Sequence, residues 1–306
     1  MLMFILGRVA QGLATLLVVT IIIFFSARLT GSPEFAYLSP DASPQDLETF
    51  RRTYGLDRPL VEQYWRWLSL AVRGDLGRGI FFSAPVFDLV LNRLGRSIPL
   101  AALSISFALL MAVPLGVLAA TNRRRWVDRL VSGVGVVGQS VPSFWLGMVL
   151  VLVFAVQLRI LPATGATSWL SYILPGLTLG VFVTAGAMRL VRSGMLESLE
   201  MDYIKFARAK GIPERLVVWK HALRNALVPL VTFLGYMFGA VVAASITVEV
   251  VFNWPGIGNL AYQAVVRRDF PVIQGIVLVL ATVILCVNLI VDVIYLLLDP
   301  RVRIRA

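Results

Sequence analysis

The sequence predicts an all-α membrane protein of six transmembrane helices with both termini on the cytoplasmic side. Three observations carry this. Only 15% of the 306 residues are charged, against about 25% in an ordinary soluble domain. Residues 97–122, 130–158, 160–188, 225–248 and 271–291 contain no Asp, Glu, Lys or Arg, and each run exceeds the roughly 18 apolar residues that mark a spanning helix. The net charge of +11 gathers in alternate loops. Backbone groups in lipid must bond within their own segment, and the runs lack the alternation of a membrane strand, so helices are expected.

The first span covers residues 1–30. Its apolar run at 9–29 follows Arg8 and is interrupted only by Arg28. The run is backed by further apolar residues and no small-x-small cleavage site follows, so it reads as an uncleaved anchor. Residues 31–96 form an extracytoplasmic segment with short amphipathic helices. Ser43 is an N-cap with Pro44 at the first helical position. Leu47, Phe50 and Tyr54 share one face, and Gly55 suits the helix end. A second helix starts near Pro59 and carries Trp65, Trp67, Leu68 and Val72 before Gly74. Such helices lie in the membrane interface or on a neighbour; they either cap the outer mouth of the bundle or meet an external partner.

Residues 97–306 form the five-helix core, with a long cytoplasmic loop at 193–225. Arg123, Arg124, Arg125 and Arg129 crowd one loop. Arg192, Lys205, Arg208, Lys210, Arg215, Lys220 and Arg224 crowd another, and Arg301, Arg303 and Arg305 close the chain. The loop between the third and fourth runs has Arg159 alone, an asymmetry that places the basic loops inside. Arg267 and Arg268 are a mild exception, partly balanced by Asp269. Pro99, Pro114, Pro142, Pro175 and Pro229 interrupt the runs and are expected to kink the bundle.

Several chemistries are excluded. The only lysines are Lys205, Lys210 and Lys220, and none follows a glycine, so no phosphate-binding Gly-Lys-Ser/Thr loop exists. His221 and Cys286 are the only residues of their kinds and build no zinc site; no cofactor is expected. Gly133, Gly135 and Gly138 match the letters of a dinucleotide fingerprint, but no strand precedes them and they fall within a charge-free run. They read as close-packing positions between spans, as do Gly235 and Gly239. The basic charge sits at loops beside spans and points to membrane lipids rather than nucleic acid. Embedded charges are functional candidates by default. Glu249, at the outer end of the fifth span, and Asp292, one turn from Asn288 in the sixth, are candidates for the pore or for helix packing, with Pro142 at a kink.

The loop at 193–225 has internal structure. Tyr203, Phe206 and Ala207 share a face of a short helix, with Lys205 and Arg208 off it. Gly211 can end that helix in the left-handed conformation, and Pro213 starts the next. The result is a basic knob in which small Ala207 and Ala209 allow a partner close. Tyr203, Lys205, Phe206, Ala207, Arg208, Ala209, Lys210 and Gly211 are the expected docking residues.

The glycine corner resembles the EAA loop of ABC-importer permeases. Aligned on Gly211, Lys205 and Phe206 stand in place of that pattern's Glu and first Ala, and Ala207 is kept. His221 and Arg224 replace its later Ile and Pro, and Leu223 matches. The stretch "DYIKFARAKGIPERLVVWKHALRNALVPLVT" resembles the dipeptide/oligopeptide/nickel permease family, as do "YGLDRPLVEQYWRWL", "GDLGRG", "SVPSFWLG", "LPATG", "VVFNWPGIGNLAYQAVVRRDFPVIQG" and "NLIVDVIYLLLDPRVR", in the family's order. The resemblance implies a type I ABC-importer permease fold in the bacterial inner membrane and a non-catalytic subunit. It also implies a second homologous permease completing the pore, two P-loop ATPases docked on 203–211, and an extracytoplasmic substrate-binding protein. Peptides are the expected cargo, with nickel or another small solute as the alternative. A membrane-embedded enzyme would need clustered ionisable residues, and a stand-alone carrier repeated halves with a midplane ionic site; the sequence displays neither.

Overall fold

The computed structural model describes residues 2–29, 38 and 42–298. Arg301, Arg303 and Arg305, the end of the "DPRVR" motif and the 30/31 boundary lie outside the described residues. The elements run α1 (Leu2–Leu29), α2 (Pro44–Tyr54), α3 (Leu60–Val72), α4 (Val86–Thr121), α5 (Trp126–Ser140) and α6 (Ser143–Leu150). The last continues as a π-helical turn, Val151–Gln157. After a 3₁₀ turn at Trp169–Tyr172 come α7 (Ile173–Glu200), α8 (Asp202–Ala209) and a helical run at 214–226 (α9) with a π-helical middle, Val217–Ala222. Then follow α10 (Val228–Val251), α11 (Ile257–Val266) and α12 (Phe270–Leu298).

Among the described residues, five helices are long and apolar enough to cross a membrane: Ile5–Leu29, Val86–Thr121, Trp169–Glu200, Val228–Val251 and Phe270–Ile294. A sixth span exists if α5 and α6 are taken as one, and these are bent by 101° where they meet. The single run expected at 130–158 is therefore broken. Val141 is extended (ψ 126°) and Pro142 precedes the first turn of α6, because proline pushes its predecessor out of the helical region. Pro142 divides two helices rather than kinking one. Pro175 lies in the first turn of α7 and Pro229 in that of α10, where the missing N–H has no intrahelical partner to lose. Those two start helices and do not bend them, whereas Pro99 and Pro114 do lie inside α4. At 36 residues, α4 is about 54 Å long, well beyond the roughly 30 Å of a hydrocarbon core. Its first part, with Asp88, Arg93 and Arg96, therefore extends past the apolar layer.

Contacts group the chain into two compact units: Met1–Arg96 with Gly256–Cys286, and Ser97–Pro255 with Val287–Ala306. In the first unit, Leu76, Val86, Val90 and Leu94 pack with Ile257, Leu260, Val272 and Ile276. The α3 helix lies on α1. The Tyr64 and Phe24 rings meet edge-on at 5.3 Å, and the Tyr64 and Thr20 hydroxyls are 3.0 Å apart. Ser43 caps α2 as expected, accepting from Asp46 N–H at 3.2 Å while Asp46 accepts from Ser43 N–H at 3.0 Å. The α2 stripe of Leu47, Phe50 and Tyr54 is not buried.

Asp269, which in the sequence only offset two arginines, is fully buried. Its carboxylate accepts from the amides of Ile80 at 3.1 Å and Phe81 at 2.8 Å, so the "GDLGRG" turn and the start of α12 meet on one side chain. Asp269→Ala removes the acceptor of those partly buried amides and is expected to cost about 1 kcal/mol, since water can reach the freed donors in part. Thermal unfolding of the purified chain in detergent checks this, and an unchanged midpoint would count against it.

In the second unit, Gly165 donates to the Phe252 carbonyl at 2.9 Å, and Leu161 and Ala166 pack on the cluster containing Phe252 and Trp254. The "LPATG" and "VFNWPG" motifs thus form one patch. Two of the three fingerprint glycines serve packing, while a Cβ on Gly133 would meet nothing within 4 Å. A Cβ on Gly135 would lie 2.4 Å from the Met188 methyl, and one on Gly138 would lie 3.3 Å from Val181, so α5 approaches α7 closely there.

Candidate functional site: a cornered basic knob and the charges within the spans

The knob begins where Met201 adopts extended backbone (ψ 150°) and separates α7 from α8. Asp202, in the first turn of α8, accepts from Lys205 at 2.8 Å. At its far end Gly211 has φ +75°. The Gly211 amide donates to the Arg208 carbonyl at 2.9 Å, and the Ile212 amide to the Ala207 carbonyl at 3.2 Å. This pair is the Schellman arrangement, and it requires a left-handed residue just past the helix end. Arg208 then forks across the corner onto Glu214, Nη2 to Oε1 at 2.7 Å and Nε to Oε2 at 3.1 Å. That hydrogen bond holds the Glu214 carboxyl below its ordinary range and raises Arg208. The pair is therefore complete above the usual glutamate pKa and is lost only as pH falls through the depressed value.

The expected stripe of Tyr203, Phe206 and Ala207 is divided. Ile204 is fully buried and Ala207 nearly so, packed with Met195, Val217, Ala222 and Leu223, while Phe206 is 68% exposed. Ile204 and Ala207, three apart, form the inward face, so Ala207 seats the knob and is not available to a partner. Tyr203 accepts from Asn225 Nδ2 at 2.8 Å. Lys205, Phe206, Arg208, Ala209, Lys210 and Gly211 remain exposed. Leu216 and Trp219 of α9 are also about half exposed. The result is an apolar surface among cations, anchored from beneath.

The stem of the knob is held by a fork that sequence reasoning missed. Arg192 of α7 donates to Asp128 of α5 through Nε at 2.7 Å and Nη2 at 2.8 Å, and the Arg124 amide adds a bond at 3.0 Å. The Asp128 side chain is 8% exposed. The separation of 64 positions between the partners left no periodic signal. A second unanticipated charge is Arg189, exposed on α7, whose Nη2 donates to Gln139 Oε1 at 2.5 Å. Gln139 also lines a cavity of about 220 Å³ with Ser140, Pro142 and Ser143. Among the described residues Arg189 has no carboxylate partner.

The embedded residues flagged in the sequence fall differently. Glu249 is fully buried and accepts from Ser97 Oγ at 2.7 Å, a side-chain bond between α10 and α4. Asp292 is half-buried, and Asn288 and Pro142 are exposed.

Five or six apolar spans among the described residues and an anchored, basic, glycine-cornered knob define an integral membrane protein with an exposed docking element. Residues 112–304 match the family described as binding-protein-dependent transport system inner membrane component, and residues 1–101 match that system's N-terminal membrane-component region. The chain is 42% identical over 304 residues, 99% of each sequence, to the glutathione transport system permease protein GsiC of Escherichia coli (strain K12) and of Shigella flexneri serotype 5b (strain 8401). Its fold resembles the inward-facing MetNI methionine ABC transporter, with TM-score 0.60 at 20% identity over 69% of this chain and 96% of that one. The chain belongs to the binding-protein-dependent transport system inner membrane component family and is a permease of an ABC importer. Membership implies ATPase and substrate-binding protein partners.

Proposed function

We propose that this chain forms half of the pore of an ATP-driven importer of short peptides, glutathione among them, and that α8 with its Gly211 corner is the coupling helix for two P-loop ATPases. The carrying observation is the knob: exposed apolar and basic side chains on a short helix whose buried face and fork to Glu214 make it a rigid lever. The importer assignment and the 42% identity to glutathione permeases over nearly the whole chain support the cargo. In this reading the knob and basic loops face the cytoplasm, residues 31–96 face the binding protein, and a second homologous permease completes the pore. The 30/31 and 96/97 boundaries then separate anchor, external segment and permease core. Asp292 and Asn288 serve the pore or its helix contacts.

Tagging the chain in its host, extracting it in mild detergent and identifying what co-purifies tests the assembly. A second permease, a P-loop ATPase and a binding protein are expected, and the binding protein is then screened against glutathione, dipeptides and nickel. A folded chain that purifies alone overturns the reading. Arg189, an embedded cation beside the α5–α6 break, is placed on the translocation path by the same reading. Arg189→Gln is expected to cut uptake about tenfold, the scale of one charge-assisted hydrogen bond, while ATP hydrolysis persists. Unchanged uptake would remove Arg189 from the path.

A further inference from the structure

A second cavity lies within the first unit, where the end of α2, the α3 helix, the "GDLGRG" turn and the start of α12 meet. It measures about 510 Å³, inside the range of about 300–1,000 Å³ typical of small-molecule sites. Arg28, Arg52, Arg58, Arg66 and Arg78 line it, against only Asp57 and Asp75. Two of the guanidiniums are engaged weakly, Arg52 with Glu48 and Arg58 with Glu62 in exposed pairs, which water screens. Arg66 has no ion pair among the described residues.

Buried atoms sharpen the picture. Arg28 Nη1, Trp67 Nε1 and Gln274 Nε2 are buried without a hydrogen-bond partner, and all three residues line this cavity. Gln274 is 3% exposed. Arg28 is itself held in place, with Nε donating to Gln63 at 3.0 Å and its guanidinium 3.9 Å over the Phe24 ring. Buried donors without acceptors are costly, and here every orphan is a donor. The missing partner is therefore an acceptor, and the surplus of guanidinium makes it an anion. A monatomic ion is too small for the space. A molecule with two carboxylates would offer acceptors both to the buried donors and to Arg66, and Asp57 and Asp75, also in the lining, carry acceptors for one ammonium.

We propose that this cavity binds a short peptide of net negative charge, through Arg28, Trp67 and Gln274 within and Arg66 nearer its opening. Its role as an early contact for cargo rests on the import reading above; the binding itself rests on the cavity. The test uses the assembled transporter, without binding protein, in nanodiscs of phosphatidylcholine, probed with radiolabelled alanyl-glutamate. Saturable binding is expected, with alanyl-glutaminamide, which lacks carboxylates, failing to compete. Arg66→Gln, an exposed change that leaves the fold intact, and Gln274→Met, which preserves volume, are each expected to weaken binding about tenfold. No binding, equal competition by the amide, or wild-type affinity in both variants overturns the site. Displacement of the peptide when phosphatidylglycerol is added would mark a lipid-phosphate site and overturn it too. A transporter that imports peptides but leaves alanyl-glutamate unbound loses this site and keeps the import reading. One that binds it here yet imports no peptide keeps the site and loses that reading.

Discussion

Gly211→Val is expected to leave a folded transporter that hydrolyses ATP without coupling it to uptake. The cause is backbone and not crowding. A Cβ on Gly211 meets nothing within 4 Å, but φ is +75°. A left-handed residue bearing a side chain costs roughly 1–2 kcal/mol, and a β-branched one is a stronger outlier still. That is enough to favour a different corner, in which the Ile212 amide no longer reaches the Ala207 carbonyl and the fork from Arg208 to Glu214 is lost. The spans carry no part of this strain, so expression and ATPase assembly persist while the lever changes direction. Gly211→Asn, whose short polar side chain tolerates the left-handed region, is expected to keep most coupling. Uptake and substrate-stimulated ATP hydrolysis in reconstituted vesicles decide the matter. Wild-type coupling in the valine variant would sink the lever.

Asp128→Ala is expected to destabilise the chain by about 2–4 kcal/mol, somewhat below the full value of a broken buried pair because the Arg192 guanidinium is partly exposed. The Arg192 side chain is 31% exposed and Asp128 8%. Removing the carboxylate leaves a guanidinium facing α5 with no acceptor and frees the Arg124 amide, which sits in a left-handed residue at φ +64°. The α5–α7 contact, and with it the stem of the knob, then loosens. The double variant Asp128→Leu with Arg192→Leu is expected to recover much of the loss, because the uncompensated charge does most of the damage. Thermal unfolding of the three proteins in the same detergent is the measurement. Equal midpoints for wild type and Asp128→Ala would show that the fork contributes nothing.

The apolar spans, the break between two helices at Gly211, and the cap at Ser43 were legible because each rests on neighbours in sequence. A charge-free run, a glycine after a helical turn and a Ser-Pro start are local signals whose physics needs no distant partner. The stripe of α8 was half legible. The sequence offers Tyr203, Phe206 and Ala207 as readily as Ile204 and Ala207, and only packing against Val217 and Ala222 chose the second. The bend at Pro142 was visible as a proline but not as a right angle, since neighbouring helices determine how far a freed backbone turns.

The charged sites were the least legible. Asp128 finds Arg192 across 64 residues, and Asp269 finds the amide of Ile80 across 189. The five arginines around the first-unit cavity belong to separate helices and turns. No periodicity carries such pairings, because side chains far apart in the chain meet only after the helices have packed. By itself the sequence determined that this is a multi-span helical membrane protein with a basic, glycine-cornered knob, since hydropathy and backbone preference act residue by residue. The tertiary structure alone decided which charges are paired and which buried donors lack an acceptor, since electrostatic partners are set by proximity in space.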